Sequence, residues 1–231
     1  MVGDAAFTGE NLKKGLEEQG HKVVSVTDIH WSDFLQKKYG KNRFDIVHIH
    51  SPNFKKIGVS WRYVKHAKLI CHWHGSDLRH PIKGFPTQRF IHKVADFHLY
   101  STIDLRWWLR KIPDDKKELF RCPVDIDVFK PMDIVRNGNV IFRGGGKSIE
   151  HHRVPHSKMP SYLNKYETVD VFNADGLDDN LLSVLALEAT SCGCRVNQFP
   201  WMNRQWVIDN ASVNGQTERL LSIYEMMMES K

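Results

Sequence analysis

Short apolar runs recur along the first hundred residues at intervals that leave room for a helix between neighbours. His21–Val26, Asp45–Ile49, Lys68–His72 and Phe97–Ser101 each gather β-branched or aromatic residues into five or six positions. Helical stretches fit around them. Thr8 can cap a helix over residues 10–19, with Leu12 and Leu16 on one face and Gly20 as its stop, and further helices fit residues 31–40, 58–66 and 86–95. A strand that returns alongside its predecessor in the same direction needs a crossover of about this length. The alternation therefore predicts a parallel sheet with helices on its faces.

A turn-rich segment, CPVDIDVFKP at residues 122–131, interrupts this pattern and reads as a domain boundary. Beyond it the alternation resumes with a strand at 139–142, a helix at 158–165, a strand at 168–172, a Leu-rich helix, a strand at 195–198 and a helix at 216–229. The expected fold class is α/β, with two Rossmann-like parallel-sheet domains, residues 1–131 and 132–231, facing a cleft. The second is reduced, and the last helix can pack back on the first.

With 41% hydrophobic and 26% charged residues, a chain of 231 residues can bury a core. No window approaches the ~20 apolar residues that cross a bilayer, and no secretory signal pattern follows Met1. A cytoplasmic protein is expected, at most peripheral to the inner face of a membrane. Four cysteines, two of them in Cys192-Gly193-Cys194, are too few for a disulfide framework at this length and read as reduced thiols. The net charge of +6 is uneven. Residues 1–105 carry 16 Lys/Arg against 10 Asp/Glu, and the remainder carries 17 of each. Such a half suits an anionic partner: a phospholipid surface, a phosphorylated substrate or nucleic acid. Nucleic acid ranks last, because no recognition motif accompanies the charge.

Arg143-Gly144-Gly145-Gly146-Lys147-Ser148 invites comparison with a phosphate-binding P-loop, but the glycine required five residues before the Gly-Lys-Ser is Ile141. Two looser readings stay open. Backbone N–H groups at the glycines, with Arg143 and Lys147, could hold a diphosphate, or the stretch is a surface turn. His72 and His74 close one strand, and His48 and His50 close the one before it. Open α/β sheets bind ligands at such strand ends. Zinc is disfavoured, because the pairs come from separate strands with no Cys or carboxylate at ligand spacing. His74 reads instead as a neutral hydrogen-bonding group. Asp125-Ile126-Asp127 reads as a turn. Leu105, Trp108, Leu109 and Ile112 form a packing stripe, while Trp107 beside Arg106, Arg110 and Lys111 could pack or meet a membrane interface.

Glu188 is the one charge between Leu181 and Cys194. Helical spacing puts it on a face with Leu181, Val184 and Leu185. A buried carboxylate is costly without a partner, so either a protein group pairs it or a ligand's hydroxyls do.

Taken together, several stretches resemble the retaining glycosyltransferases of the GT-B fold, in particular the large glycogen-synthase-like family four. They are GLEEQGHKV at 15–23, FDIVHIHS at 44–51, HGSD at 74–77, PVDIDVFKP at 123–131, and MPSYLN at 159–164 followed by LEATSCG at 187–193. The resemblance implies metal-independent transfer of a sugar from a nucleotide-sugar to a hydroxyl acceptor, with no cofactor beyond that co-substrate. It makes Glu188 the ribose-binding residue and, with His74, one of two expected catalytic residues. The first glutamate of the family's paired motif falls at Asn180, so the contact to the transferred sugar is altered. Donor contacts are further expected from Thr8, Gly9, Arg143, Gly144, Gly145 and Lys147. His48, His50 and Asp77 are expected on the acceptor, which can be lipid-linked or phosphorylated. The altered glutamate and the short second half also leave open a non-catalytic nucleotide-sugar or glycan-binding protein.

Overall fold

In the computed structural model, which describes residues 8–25, 44–52, 56, 66–75, 78, 85–143, 147–148, 154–172 and 183–230, three of the four early apolar runs become adjacent strands. Ile46–His50 (β1), Lys68–Trp73 (β2), Phe97–Tyr100 (β3) and Lys117–Leu119 (β4) lie side by side in that order, all parallel. Nearly every residue of β1 to β3 is buried. That is what a parallel sheet covered on both faces demands, and it explains why these strands are apolar throughout and do not alternate.

The two faces have separate cores. Val47, Ile49, Leu69, Cys71 and Trp73 pack with Ile91 of helix α2 (Phe85–Val94) and with Leu105, Leu109 and Ile112 in and after the short helix α3 (Leu105–Trp108). Ile70, Phe97 and Leu99 point the other way, onto Leu12 and Leu16 of α1 (Thr8–Glu18), Phe120, and Leu220, Ile223 and Met227 of the last helix. Trp107 is exposed with the Arg110 guanidinium 4.0 Å over its ring, while Leu105, Leu109 and Ile112 are buried as their stripe predicts.

A second sheet is built from Asn139–Arg143 (β5), Lys147–Ser148 (β6), Thr168–Phe172 (β7) and Arg195–Val196 (β8), in the order β6-β5-β7-β8. β5, β7 and β8 are parallel; β6 runs antiparallel at the edge. Val140, Phe142, Val169 and Val171 pack on Leu163 of α4 (Met159–Leu163), on Ala186, Leu187 and Ala189 of α5 (Val184–Ser191), and on Val207 of α6 (Arg204–Ala211). Asn164 fastens the segment before β5 to this core. Its Oδ1 accepts from Met132 N (2.8 Å) and Arg136 Nη2 (2.6 Å), and its Nδ2 donates to the carbonyls of Lys130 and Pro160. Asp125 Oδ1 accepts from the amides of Asp127 and Val128, the turn geometry expected there.

The chain divides into two compact units, Cys122–Gln216 and the remainder, so Thr217–Lys231 belongs with the first. The division falls after Arg121, at the start of the turn-rich segment and ten residues ahead of the expected boundary after 131. The last helix, α7 (Val213–Glu229), therefore begins in one unit and supplies core residues to the other. Residues 21–25 carry no strand assignment, and Val26, the end of the run expected over 21–26, lies outside the described residues. Helix α1 includes Thr8 itself, where a cap was expected. The helices expected at 31–40 and 58–66 fall outside the described residues, apart from His66. No described helix is long and apolar enough to cross a membrane.

Candidate functional site

β1, β2 and β3 end on one edge of the first sheet, and a chain of polar groups runs along it. His50 Nδ1 meets His74 Nε2 at 3.1 Å, His74 Nδ1 meets Ser101 Oγ at 3.1 Å, and that hydroxyl also meets His72 Nε2 at 3.1 Å. His48 Nδ1 lies 3.0 Å from the Tyr224 hydroxyl on α7. The residues come together because β1 and β2 are adjacent and in register: His50 sits opposite His72, and His48 opposite Ile70. Side chains two apart on a strand share a face, so His48, His50 and His72 all project onto the α1–α7 side. The spacing argument against a four-histidine cluster fails here, because register joins what sequence separates.

His48, His50 and His72 are buried, with at most 2% of their surface exposed, and His74 is half-buried. His48 and His50, expected on the acceptor, lie inside the first unit, packed among the sheet and α7. Burial, followed by the neighbouring imidazoles, holds all three well below the ordinary histidine range and keeps them neutral. The Phe120 backbone opposes this weakly at His72, without meeting hydrogen-bond geometry. One nitrogen on each ring, His48 Nε2, His50 Nε2 and His72 Nδ1, is buried with no hydrogen-bond partner. Each such orphan costs about 1–3 kcal/mol.

Glu188 lies in the second unit on α5, an eight-residue helix capped by Ser183, whose side chain accepts from Ala186 N. The helix is buried from Ala186 to Ser191, whereas Val184 and Leu185 are half-buried. The apolar stripe expected through Val184 and Leu185 is therefore not the buried part; the C-terminal half is. Glu188 is 6% exposed and its Oε1 accepts from His156 Nε2 at 2.8 Å. His156 opens the 3-10 turn His156–Lys158 ahead of α4, and 29% of its side chain is exposed. Burial raises the Glu188 pKa, and the hydrogen bond to His156 opposes the rise without cancelling it. Sequence reasoning missed His156 as the partner. Nothing in the spacing of residues 156 and 188 links them; only the packing of α4 against α5 does.

Arg143 ends β5 and pairs in register with Lys147 of β6. Gly144, Gly145, Asp77 and Asn180 lie outside the described residues. Thr8 and Gly9 are buried within α1, and Thr8 Oγ1 has no partner. They were expected as donor contacts, with Thr8 capping the helix; both lie in its first turn. All four cysteines are free and buried, with Cys192 pushed up to about 12 and Cys194 to about 11, chiefly by burial. No protein-family model matches the chain, and no curated protein does.

Proposed function

We propose that the chain is a retaining glycosyltransferase of the GT-B kind, moving a sugar from a nucleotide-sugar to a hydroxyl acceptor with no metal at the diphosphate. The observation that carries this reading is Arg143 in register with Lys147, at the C-terminal end of a parallel strand. Two cations directly opposite each other destabilise an antiparallel pair. A diphosphate offsets that repulsion and draws on both charges, and strand ends of this kind are where α/β sheets take ligands. The sequence resemblance adds the glycines at 144–146 to the phosphate site and Asn180 to the transferred sugar. Glu188 takes the ribose hydroxyls, for which an imidazole partner at the solvent border is easier to exchange than a guanidinium fork. His74, half-buried at the end of the first sheet, is the second catalytic residue that the sequence resemblance implies. The acceptor hydroxyl attacks on the face from which the diphosphate leaves, so the protein's work is to align both substrates and stabilise the charge developing on the phosphate. The basic first half draws a phosphorylated or lipid-linked acceptor, at the surface of an anionic membrane when the acceptor resides there.

A second reading, a nucleotide-sugar or glycan-binding protein without turnover, is favoured by two observations. His48 and His50 are closed to an acceptor, and Glu188 already has a protein partner. Incubating the full chain with UDP-, GDP- and ADP-sugars and following free nucleotide separates the two. Acceptor-dependent release supports the transferase; binding without release under every acceptor mixture removes it. Arg143→Ala and Lys147→Ala should each weaken nucleoside diphosphate affinity about tenfold or more, roughly 1.4 kcal/mol, while Tm holds or rises. If the wild type binds no nucleoside diphosphate at all, the transferase and the nucleotide-sugar-binding readings both fall.

A further inference from the structure

We propose that His48, His50 and His72 form a transition-metal site, best suited to Zn2+, buried in the first unit where β1 and β2 meet α7. Each residue offers a ring nitrogen, and the three nitrogens lie within 4.8 Å of one another. The rings are already gathered, with centroids 4.5 Å apart for His48–His50, 5.1 Å for His50–His72 and 5.5 Å for His48–His72.

The hydrogen bonding on the far side of each ring is what separates a ligand set from a chance cluster. Metal-binding histidines hold their outer N–H on a fixed acceptor, which sets the tautomer and turns the lone pair inward. Here His48 Nδ1 is paired with the Tyr224 hydroxyl, His50 Nδ1 with His74 Nε2, and His72 Nε2 with Ser101 Oγ, and each pairing admits the tautomer in which that histidine nitrogen donates. In those tautomers every remaining nitrogen of the trio, His48 Nε2, His50 Nε2 and His72 Nδ1, is a lone pair, and among the described residues all three are buried without a hydrogen-bond partner. A single cation reached by all three rings would satisfy them at once. Three separate waters would have to fit among rings in mutual contact.

The donor set selects the metal. Imidazole alone suits Zn, Cu, Ni or Fe, and the absence of carboxylates from the trio disfavours Mg2+ and Ca2+. Zn–N bonds of about 2.1 Å in tetrahedral geometry put ligand nitrogens about 3.4 Å apart, so the pairs close by up to about 1.4 Å on loading. The fourth position is left for a water or small anion, which also offsets charge in a buried setting. Half-buried His74 borders the trio and gives the ion a way in. The metal would tie β1 to β2 beneath α7, a structural role separate from sugar transfer.

The test needs no nucleotide-sugar, so its outcome is independent of the transferase reading. The full chain, stripped with chelator and dialysed against Zn2+, should retain one zinc per chain by elemental analysis. Zn2+ at a hundred times Kd should raise Tm by roughly 5–10 °C, and Co2+ should give the visible absorption of a four-coordinate nitrogen site. His72→Leu and His50→Leu should abolish uptake. Tyr224→Phe, which keeps the packing and removes one outer hydrogen bond, should weaken affinity about tenfold or more. Exposed-histidine controls, His21→Ala and His66→Ala, should change nothing. The site is refuted if the wild type keeps less than stoichiometric zinc and shows no Tm shift. Equal uptake in wild type and Tyr224→Phe, with loss on removal of His21 or His66, refutes it as well.

Discussion

A carboxyl group with 6% of its surface exposed holds its proton to higher pH than one in water, because the charged form loses most of its hydration. For Glu188 this sets a sign. Its folded pKa lies above the ordinary 4.5, so as pH rises past 4.5 the unfolded chain releases the proton first and stability falls until the folded group also ionises. Glutamine has no such proton, and its carbonyl can still accept from His156. Glu188→Gln should therefore remove this fall: its Tm relative to wild type should improve between pH 4 and pH 7. If ribose is the ligand, nucleotide affinity should drop about tenfold or more in the same variant, since an amide pairs less strongly with two hydroxyls than a carboxylate does. Calorimetry across pH and nucleotide titration at pH 7 read the two effects separately. An unchanged affinity would make Glu188 a purely structural partner of His156.

At the scale of elements, α1 and α7 approach closely at Gly15. A Cβ there would lie within 3.0 Å of Thr217 Cβ and closer still to its Oγ1, with Cγ2 only 3.2 Å away, so rotating the threonine gives no relief. Gly15→Ala gains about 1 kcal/mol in helix propensity, and overpacking costs about 1–3 kcal/mol. The single variant should be destabilised in urea denaturation. Adding Thr217→Ala, which removes Oγ1 and Cγ2 but leaves Cβ 3.0 Å away, should recover part of the loss. A double variant no more stable than the single would mean that the helices are held apart by something else. The same scale shows what could be read beforehand. β1, β2 and β3 were legible because strands buried on both faces need unbroken apolar runs, and β5 and β7 because buried Val140, Phe142, Val169 and Val171 alternate with more exposed neighbours. β4, with the sequence Lys-Glu-Leu, and the two-residue β6 carry no such run and exist only by pairing with a neighbour. The register placing His50 beside His72 was equally hidden, since no local pattern reports which residues two strands set opposite each other. Glu188 was legible as an anomaly, its partner was not.

For the whole molecule, the second unit is continuous in sequence and the first is not. Leu220, Ile223 and Met227 of α7 complete the core formed by Leu12, Leu16, Ile70, Phe97, Leu99 and Phe120. A chain stopped after Gln216 should keep the second unit folded, because Cys122–Gln216 retains its own core cluster. The first unit should lose protection, since its apolar face would open to water. Hydrogen exchange resolved by segment should find fast exchange in β1–β3 and slow exchange in β5 and β7; slow exchange throughout would show that α7 is dispensable to the sheet.

During synthesis the same discontinuity sets an order. The segment emerging first from the ribosome cannot close its core until residues beyond 217 have left the exit tunnel, so the middle of the chain is free to settle earlier. Until then the early strands wait with one greasy side uncovered, which makes them the stretch a chaperone would hold.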